Sequence, residues 1–476
     1  MNSRLISMQT IQKNVIPLKL LAIKLYCVQA MRLVKHPTLA QASYIAAKFY
    51  SFAPINFNSY SSINFTTYNT VNSAFSILSK FTSYILITFV FYAVTTLAFN
   101  LNDVQAATKQ IINIAYLTQE QNPPASLSNL DPFIKEKGVI GAELGINDNN
   151  TTGEFTGQQF TLKKFIVPID GNVNETFTKE ISSQFKYLIV NLPAAQLKPL
   201  ADLPVAKDLL LFDVGTSDDS LRNEECQRHV LHLLPSRAMR ADALAQYMMK
   251  KRWTQWFLVI GPNPEDKLYA EAIKRAAKRF NMKIIAEKTW EHTYDARRTA
   301  QSDVAVFSQT EDPYDVLVVA DEQGQFGEYL DYRTWIPRPV IGTQGLIATP
   351  WHKTHEQWGA VQIQHRFLEK AGRWMEEQDY SAYLAVRAIG EAATRTQSNE
   401  LSKLKDYIFS DSFTLNGYTG TPLSFRAWDG QLRQPILLAA PRSLVAVAPI
   451  DGFLHPKTEL DTLGYDQPES HCQWNK

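Results

Sequence analysis

The hydrophobic residues of this chain fall into short unbroken runs that alternate with stretches of helical periodicity. Short apolar runs are typical of strands buried on both faces, as in parallel sheets. The predicted strands are residues 111–117 (IINIAYL), 187–191 (YLIVN), 209–214 (LLLFDV), 256–260 (WFLVI), 283–287 (KIIAE) and 316–320 (VLVVA).

The helices predicted between these strands have recognisable starts. Ser236 is a good N-cap for a helix that runs to about Lys251. Asn263 is placed to cap the next helix, with Pro264 at its first position. A third helical stretch is expected near residues 295–310. The resulting β-α-β-α-β order predicts a doubly wound parallel sheet.

The pattern changes after Pro350. Residues 354–373, 379–396 and 400–409 predict three consecutive amphipathic helices. Residues 423–428 and 436–440 then predict two strands, and the Asp429-Gly430 turn between them favours a hairpin. The tail from Asp451 onward is polar and loop-like. With 476 residues, the chain is long enough for two or three domains.

The N-terminal part contains a candidate export signal at residues 79–106. Lys80 precedes an uncharged run over residues 81–99, and Val104 and Ala106 are small residues before a cleavage site that follows Ala106. A basic start, an apolar middle and a small-residue exit are typical of a secretory signal peptide. The alternative is an uncleaved membrane anchor, although the run is near the lower length limit for a span.

Residues 1–78 precede that signal and contain no Asp or Glu. A transit peptide is also poor in acids. We favour the alternative that these residues are an extraneous leader produced by a mis-assigned start codon. Neither interpretation gives this segment a role in the folded protein.

The net charge of +1 hides a difference between the leader and the body. From residue 107 onward there are 40 Lys and Arg against 46 Asp and Glu, a net charge of −6. Phosphate backbones are bound by clustered Lys and Arg, so nucleic acid is not an expected partner.

The cysteines fit an oxidising compartment. Cys27 lies in the leader, which leaves Cys226 and Cys472 as a possible disulfide in the body. Two unrelated buried thiols are the alternative. The chain has no C-x-x-C, so a thioredoxin-type site and a zinc ribbon are not supported.

The motifs of common enzyme classes are absent from the sequence. There is no G-x-S-x-G elbow, no phosphate-binding G-x-x-x-x-G-K-[ST] and no G-x-G-x-x-G after a strand. His352 and His355 are spaced as metal ligands on a helix can be, but no third ligand accompanies them at a diagnostic spacing. We therefore expect neither catalysis nor a cofactor nor a metal site.

Long blocks of the sequence resemble a known protein family. The segment HVLHLLPSRAMRADALAQYMMKKRWTQWFLVIGPNPEDKLYAEAIKRAAKRF (residues 229–280) resembles the crossover and first βα units of the second lobe in type I periplasmic binding proteins. A closer resemblance is to the ABC-transporter substrate-binding proteins associated with alcohol oxidation that depends on pyrroloquinoline quinone (PQQ). Blocks that carry it include GAELGINDNNTTGEFTGQ (141–158), DARRTAQSDV (295–304), YDVLVVADE (314–322), FGEYLDYRTWIPRPVIGTQGL (326–346), THEQWGA (354–360), AVRAIGEAATRT (385–396), LRQPILLAAPRSLVAVAP (432–449) and FLHPKTELDTLGYDQPES (453–470).

The resemblance implies a fold of two α/β lobes with mostly parallel sheets, joined by three crossings. Lobe one is expected at residues 107–235 plus 346–420, and lobe two at residues 236–345 plus 421–476. The implied function is that of a monomeric periplasmic solute-binding component of an ABC importer, which does not span the membrane after cleavage. It would bind a small molecule between the lobes and deliver it to a membrane permease. The alternative is a ligand-sensing or accessory protein with the same fold and no transport role.

Candidate ligand-binding residues follow the carboxyl ends of the predicted strands, where open α/β sheets bind their ligands. On lobe one these are Asn191, Thr216 and Ser217; on lobe two they are Asn263, Glu265, Asp321 and Glu322. Gln344 is a further candidate because it lies by the second crossing. In amino-acid-binding relatives, hydroxyl or Gly residues at the lobe-one positions hold the α-carboxylate. Thr216 and Ser217 keep that character, but Pro193-Ala194-Ala195 offers no hydroxyl, which disfavours branched-chain amino acids as ligands.

The signal-peptide interpretation predicts the start of the mature protein. N-terminal sequencing of the protein recovered from the periplasmic fraction should return Ala107 as the first residue. A chain that starts before Lys80 would contradict both the signal peptide and the mis-assigned start.

Overall fold

The computed structural model describes residues 109–123, 133–291 and 300–474, all of them within the unit Ala106–Lys476. The predicted leader and signal peptide lie outside these residues. The strands, numbered along the chain, are β1 Gln110–Gln119, β2 Gln158–Val167, β3 Tyr187–Asn191, β4 Leu210–Asp213, β5 Val230–His232, β6 Gln255–Ile260, β7 Lys283–Thr289, β8 Val316–Ala320, β9 Val340–Gly342, β10 Leu346–Thr349, β11 Ser424–Phe425, β12 Leu432–Arg433, β13 Ile436–Ala440 and β14 Ser443–Ala448. The α-helices are α1 Val139–Thr156, α2 Val173–Thr176, α3 Ala194–Ala201, α4 Arg237–Lys251, α5 Pro264–Arg279, α6 Ala300–Phe307, α7 Gly327–Arg333, α8 Ala360–Ala371, α9 Glu377–Thr396 and α10 Leu401–Ile408.

The first lobe is built on a parallel sheet with the order β2-β1-β3-β4-β5. Its central strands are buried on both faces, which explains their unbroken apolar runs. In β1, Ile114 and Tyr116 belong to one hydrophobic core, whereas Ala115 and Leu117 belong to the core on the opposite face.

Helices α1 and α9 pack closely on one face of this sheet because Gly141 has no side chain, which lets their backbones approach each other. A Cβ atom at Gly141 would lie 1.9 Å from the carbonyl oxygen of Asp379, so no larger residue fits. The Asp379 carboxylate accepts a hydrogen bond from the Gly138 N–H at 2.9 Å. The first turns of both helices are therefore held at the carboxyl edge of the sheet.

The second lobe is built on a seven-stranded sheet with the order β14-β13-β10-β9-β8-β6-β7. The pairs from β10 to β7 are parallel, and β13 and β14 add antiparallel strands at one edge. Strand β10 (Leu346–Thr349), which the sequence placed in lobe one, is hydrogen-bonded in this second sheet. The second crossing therefore lies after Thr349 rather than at residue 345.

The chain passes between the two lobes three times in the described residues. Leu233 packs in the first core and Met239 in the second, so the first crossing lies between them. The second leads from β10 to Trp351, which is in the first core again. The third leads from Leu432 of the first core to Ile436 of the second. Residues 421–432, which were expected in lobe two, therefore pack with lobe one. The predicted two-lobe α/β fold with three crossings is confirmed.

Several predicted elements have different bounds in the structure. The helix expected from residue 354 begins at Ala360, because Trp358 and Gly359 have positive φ angles of 58° and 85° that no α-helix accommodates. The Asp429-Gly430 turn joins β11 to β12, not to β13, which instead pairs with β10 and β14. Of the helix expected near residues 295–310, the structure describes Ala300–Phe307.

The C-terminal tail connects the two lobes. Leu463 packs in the core of lobe two, and the Gly464 N–H donates to the Asp242 carboxylate on α4 at 2.9 Å. Eight residues later, Cys472 forms the predicted disulfide with Cys226, which lies between β4 and β5 of lobe one. The tail and its disulfide are therefore a further link between the lobes besides the three crossings.

Loss of this disulfide should lower the stability of the whole protein. The bond joins residues 246 positions apart. In the chain-entropy model, a loop of this size contributes on the order of 5 kcal/mol to the free energy of unfolding. We expect Cys226→Ser/Cys472→Ser to unfold at markedly lower urea concentration than the wild type. A reductant should lower the wild-type midpoint and leave that of the double variant unchanged; equal midpoints for the two oxidised proteins would contradict the prediction.

Candidate functional site

The loop after β4 is held by a buried carboxylate that the sequence analysis did not single out. Asp213 is fully buried and accepts hydrogen bonds from the N–H groups of Gly215 at 3.0 Å and Thr216 at 3.2 Å. Its other oxygen lies 2.8 Å from Nδ1 of His232 on β5. Burial, reinforced by the nearby Arg222 charge, lowers the pKa of His232. This network fixes the loop that carries two of the predicted site residues.

The hydroxyl groups of those two residues, Thr216 and Ser217, form hydrogen bonds with other groups of the protein. Thr216 is buried, and its hydroxyl accepts a hydrogen bond from the Asp218 N–H at 3.2 Å. The Ser217 hydroxyl accepts one from Arg240 at 3.3 Å, and its carbonyl accepts one from the Arg237 N–H at 2.9 Å. Both residues shape the start of α4.

Arg237, in the first turn of α4, joins the two lobes. Its Nε and Nη2 donate to the two oxygens of Glu322, at 2.9 and 2.7 Å, and its Nη1 donates to Asp218 at 3.2 Å. The residue is only 6% exposed. Burial disfavours the charged guanidinium, but the hydrogen bonds that it donates to Glu322 and the charges of the neighbouring carboxylates outweigh this effect and raise the pKa of Arg237.

Arg240, one turn further along α4, makes a second bridge. It donates to Glu377 at the start of α9 in lobe one at 2.9 Å and to the carbonyl oxygen of Ala348 on β10 in lobe two at 3.0 Å. The sequence analysis missed both arginines. The sequence signal that could have identified them is that two arginines lie one helical turn apart, directly after the first crossing.

The predicted residues of lobe two lie together at the carboxyl ends of β6 and β8. The Asp321 carboxylate, 1% exposed, accepts hydrogen bonds from the N–H groups of Gln325, Phe326 and Gly327 and so caps α7. The Gln344 amide donates to the Asp321 carbonyl oxygen at 3.2 Å. Both residues are therefore structural in this arrangement.

The remaining candidates differ in their surroundings. Asn263 pairs with Asp266 at the start of α5, and Asp266 in turn accepts a hydrogen bond from the Glu322 N–H at 2.7 Å. Glu265 is exposed, with no hydrogen bond to other described residues. Asn191 donates to the Lys137 carbonyl oxygen at 2.9 Å, an acceptor that it shares with the Tyr116 hydroxyl. The side chain of Asn191 therefore contacts neither Arg237 nor Arg240.

A pocket of about 440 Å³ lies at the carboxyl edge of the first sheet. Four of its ten lining residues carry amide side chains, among them Gln119 at the end of β1 and Gln196 in α3. The full lining is Gln119, Ile169, Asp170, Gly171, Asn172, Val173, Asn174, Ala195, Gln196 and Pro199. Gln119 could have been found by the rule that selected Asn191, because both are polar residues at the carboxyl end of a buried strand.

The fold is similar to that of solved ABC-transporter binding proteins. A branched-chain amino acid ABC transporter periplasmic ligand-binding protein from Burkholderia xenovorans LB400 superposes with a TM-score of 0.60 at 13% identity, over 77% of this chain and 100% of that chain. A solute-binding protein from R. palustris, solved with benzoate, gives 0.53 at 10% identity over 76% and 99%. The branched-chain amino acid transporter substrate-binding protein from Streptococcus pneumoniae, solved with isoleucine, gives 0.54 at 16% identity over 71% and 99%.

No family model and no curated protein matches the chain. The structural similarities show that it has the two-lobe fold of type I periplasmic binding proteins. Within the part of the chain that the structure describes, no helix is both long and apolar enough to cross a membrane.

The bridge through Arg237 should contribute strongly to stability. Removing one partner of a buried ion pair leaves uncompensated charge and costs about 3–5 kcal/mol. We expect Arg237→Met to lower the free energy of unfolding by this order, because Glu322 loses its ion-pair partner and Asp218 keeps only its contacts with Ser220. Urea denaturation measures the change.

A matched control is Arg395→Met, which breaks the exposed pair with Glu391 on α9. An exposed pair of this kind contributes far less to stability than a buried one, because water screens it. Equal effects of the two substitutions would show that the bridge between the lobes is no stronger than a surface ion pair.

Proposed function

We propose that this protein is the periplasmic solute-binding component of an ABC importer. It captures a small molecule in the cleft between its lobes and delivers it to a membrane permease. The observation that carries the proposal is the bridge through Arg237. It joins Asp218, beyond the carboxyl end of β4, to Glu322, beyond the carboxyl end of β8. The ligand-binding edges of both sheets therefore border one cleft.

The three crossings provide the hinge for such a protein. Two lobes joined by a few crossing segments close around a ligand by rotation at those segments. Arg237 and Arg240 lie just after the first crossing, where their side chains contact both lobes. Ligand bound further along the cleft would add contacts to both lobes and stabilise the closed state.

The functions of the structural neighbours support binding rather than catalysis. The proteins from Burkholderia xenovorans, R. palustris and Streptococcus pneumoniae are all described as ligand-binding or substrate-binding components of transporters. We propose that this chain likewise binds its ligand without chemical change and needs no cofactor. The export signal predicted to end at Ala106 and the disulfide between Cys226 and Cys472 support a periplasmic location.

The sequence blocks add a finer proposal. They resemble the subgroup of binding proteins associated with PQQ-dependent alcohol oxidation, which supports a transport role within that metabolism. The ligand would then be an alcohol, an oxidation product, the quinone itself or a metal chelate.

Deletion of the gene tests the transport role. We expect the deletion strain to lose uptake of a radiolabelled substrate of the alcohol-oxidation system, because the permease receives substrate only from its binding protein. Wild-type protein supplied from a plasmid should restore uptake. Normal uptake combined with a lost transcriptional response to the same compound would instead support the sensing alternative and contradict the importer.

A further inference from the structure

We propose that the end of the chain, residues 461–474, is a strap that restricts rotation of the two lobes relative to each other. The inference goes beyond the proposed function, and only its consequence for ligand capture rests on that function. Three features carry it. Both lobes form hydrogen bonds to the start of the strap, the disulfide attaches its end to lobe one, and the chain between these attachments has little slack.

Lobe two binds the strap at Gly464. The N–H group of this residue donates to the Asp242 carboxylate on α4 at 2.9 Å. Its carbonyl oxygen accepts hydrogen bonds from Arg275 at 2.9 Å and from Arg279 at 2.7 Å, both on α5. The two arginines also pair with Asp242, which is fully buried. Since hydrogen bonds to charged groups are among the stronger ones, the strap is firmly fixed to the helices of lobe two.

Lobe one binds the same stretch through Arg426, in the turn between β11 and β12, two strands that pack in the first core. The residue is only 1% exposed. Its guanidinium donates to the carbonyl oxygens of Leu463 at 2.8 Å and Tyr465 at 3.2 Å, the two residues that flank the glycine. It also donates to the Asp461 carboxylate at 2.9 Å. Residues 463–465 are therefore bonded to both lobes at once.

A second attachment to lobe one lies further along the strap. Cys472 forms the disulfide with Cys226, and the N–H group of His471 donates to the side chain of Asn223. The Trp474 indole donates to a backbone carbonyl of the turn between β11 and β12 at 3.0 Å. A single attachment lets two bodies rotate about it, whereas a second attachment at a distance opposes that rotation. The strap therefore restricts rotation in a way that the joint at residues 463–465 alone does not.

The chain between the two attachments is short and already folded. Residues 466–470 form a turn that is closed by two backbone hydrogen bonds to the Asp466 carbonyl oxygen, at 2.9 and 3.0 Å. Glu469 in this turn pairs with Arg275 on lobe two. From Glu469 to Cys472 the chain advances three residues, which span about 10 Å at full extension. A larger displacement of the lobes at this place must break the ion pair and then unfold the turn.

The position of the strap beside the crossings gives it a consequence for ligand capture. Trp474 lies against Gly430, whose carbonyl oxygen accepts a hydrogen bond from the N–H of His232, just before the first crossing. A binding protein with two lobes rotates about such crossings when it closes on a ligand. The strap narrows the range of lobe arrangements beforehand, which reduces the conformational entropy that is lost when the lobes close.

Distances between labels on the two lobes test the inference without a ligand. Asp170 follows the carboxyl end of β2, and Glu265 follows that of β6. Both are exposed, and their strands lie away from β5, β10 and β13, which border the crossings. In the secreted protein each is replaced by a noncanonical amino acid that carries a spin label, so that the disulfide stays intact. Pulsed electron paramagnetic resonance then gives the distribution of distances between the lobes.

A longer strap separates restriction of rotation from stability. Gly-Ser-Gly-Ser is inserted between Ser470 and His471, where the contacts to lobe two end and those to lobe one begin. We expect a distance distribution about twofold broader than that of the wild type, because the second attachment no longer opposes rotation. Four residues added to a separation of 246 leave the entropic effect of the disulfide almost unchanged. The same insertion between Glu311 and Asp312, in an exposed loop of lobe two, is the control and should give the wild-type distribution.

A second variant removes the end attachment altogether. Cys226→Ser/Cys472→Ser should broaden the distribution at least as much as the insertion does. Labels at Asp170 and Lys207, both on lobe one, should give one unchanged distance in every protein, which shows that the lobe stays folded.

A wild-type distribution in the protein with the longer strap overturns the inference. Broadening in the double cysteine variant alone also overturns it, because the disulfide would then act through stability and not through the length of the strap. Uptake by the deletion strain does not enter this test, so the strap and the importer can fail separately.

Discussion

The structure depends on one buried guanidinium held between two lobes. Arg237 begins the helix that follows the first crossing, and its side chain joins Asp218 of lobe one to Glu322 of lobe two. A charge this deeply buried is tolerated only when carboxylates compensate it. The pairing thus sets the distance between the carboxyl edges of the two sheets.

The partners of Arg237 are themselves held in place by buried carboxylates that accept backbone hydrogen bonds. Asp213 positions the loop that presents Asp218, and Asp266 accepts a hydrogen bond from the backbone of Glu322. On the far side of α4, Asp242 anchors the tail that continues to the disulfide with Cys226. Each of these three carboxylates accepts a hydrogen bond from a backbone N–H group. The lobes are consequently held by local polar contacts as well as by their hydrophobic cores.

The sequence predicted the fold well because its signals are local. Unbroken apolar runs marked the central strands, and Ser236 marked the start of α4, which its hydroxyl caps at 3.2 Å. Predictions that depended on distant partners were less accurate. Strand β10 was assigned to the wrong lobe, and β13 was paired with the wrong strand, since neither choice is encoded in nearby residues. The disulfide was predicted correctly because the body has only two cysteines.

The structure shows the contacts of each predicted site residue, and their part in ligand binding stays a prediction. A carboxylate after a strand can bind a ligand or cap the following helix, and Asp321 caps α7. Sequence alone does not separate these uses, because both need the same residue at the same place. The most direct test of the account is mass spectrometry of small molecules released when the protein, purified from the periplasm of its own cells, is denatured. The account predicts one small molecule in an amount close to one per chain; the release of no small molecule from the folded protein would contradict it.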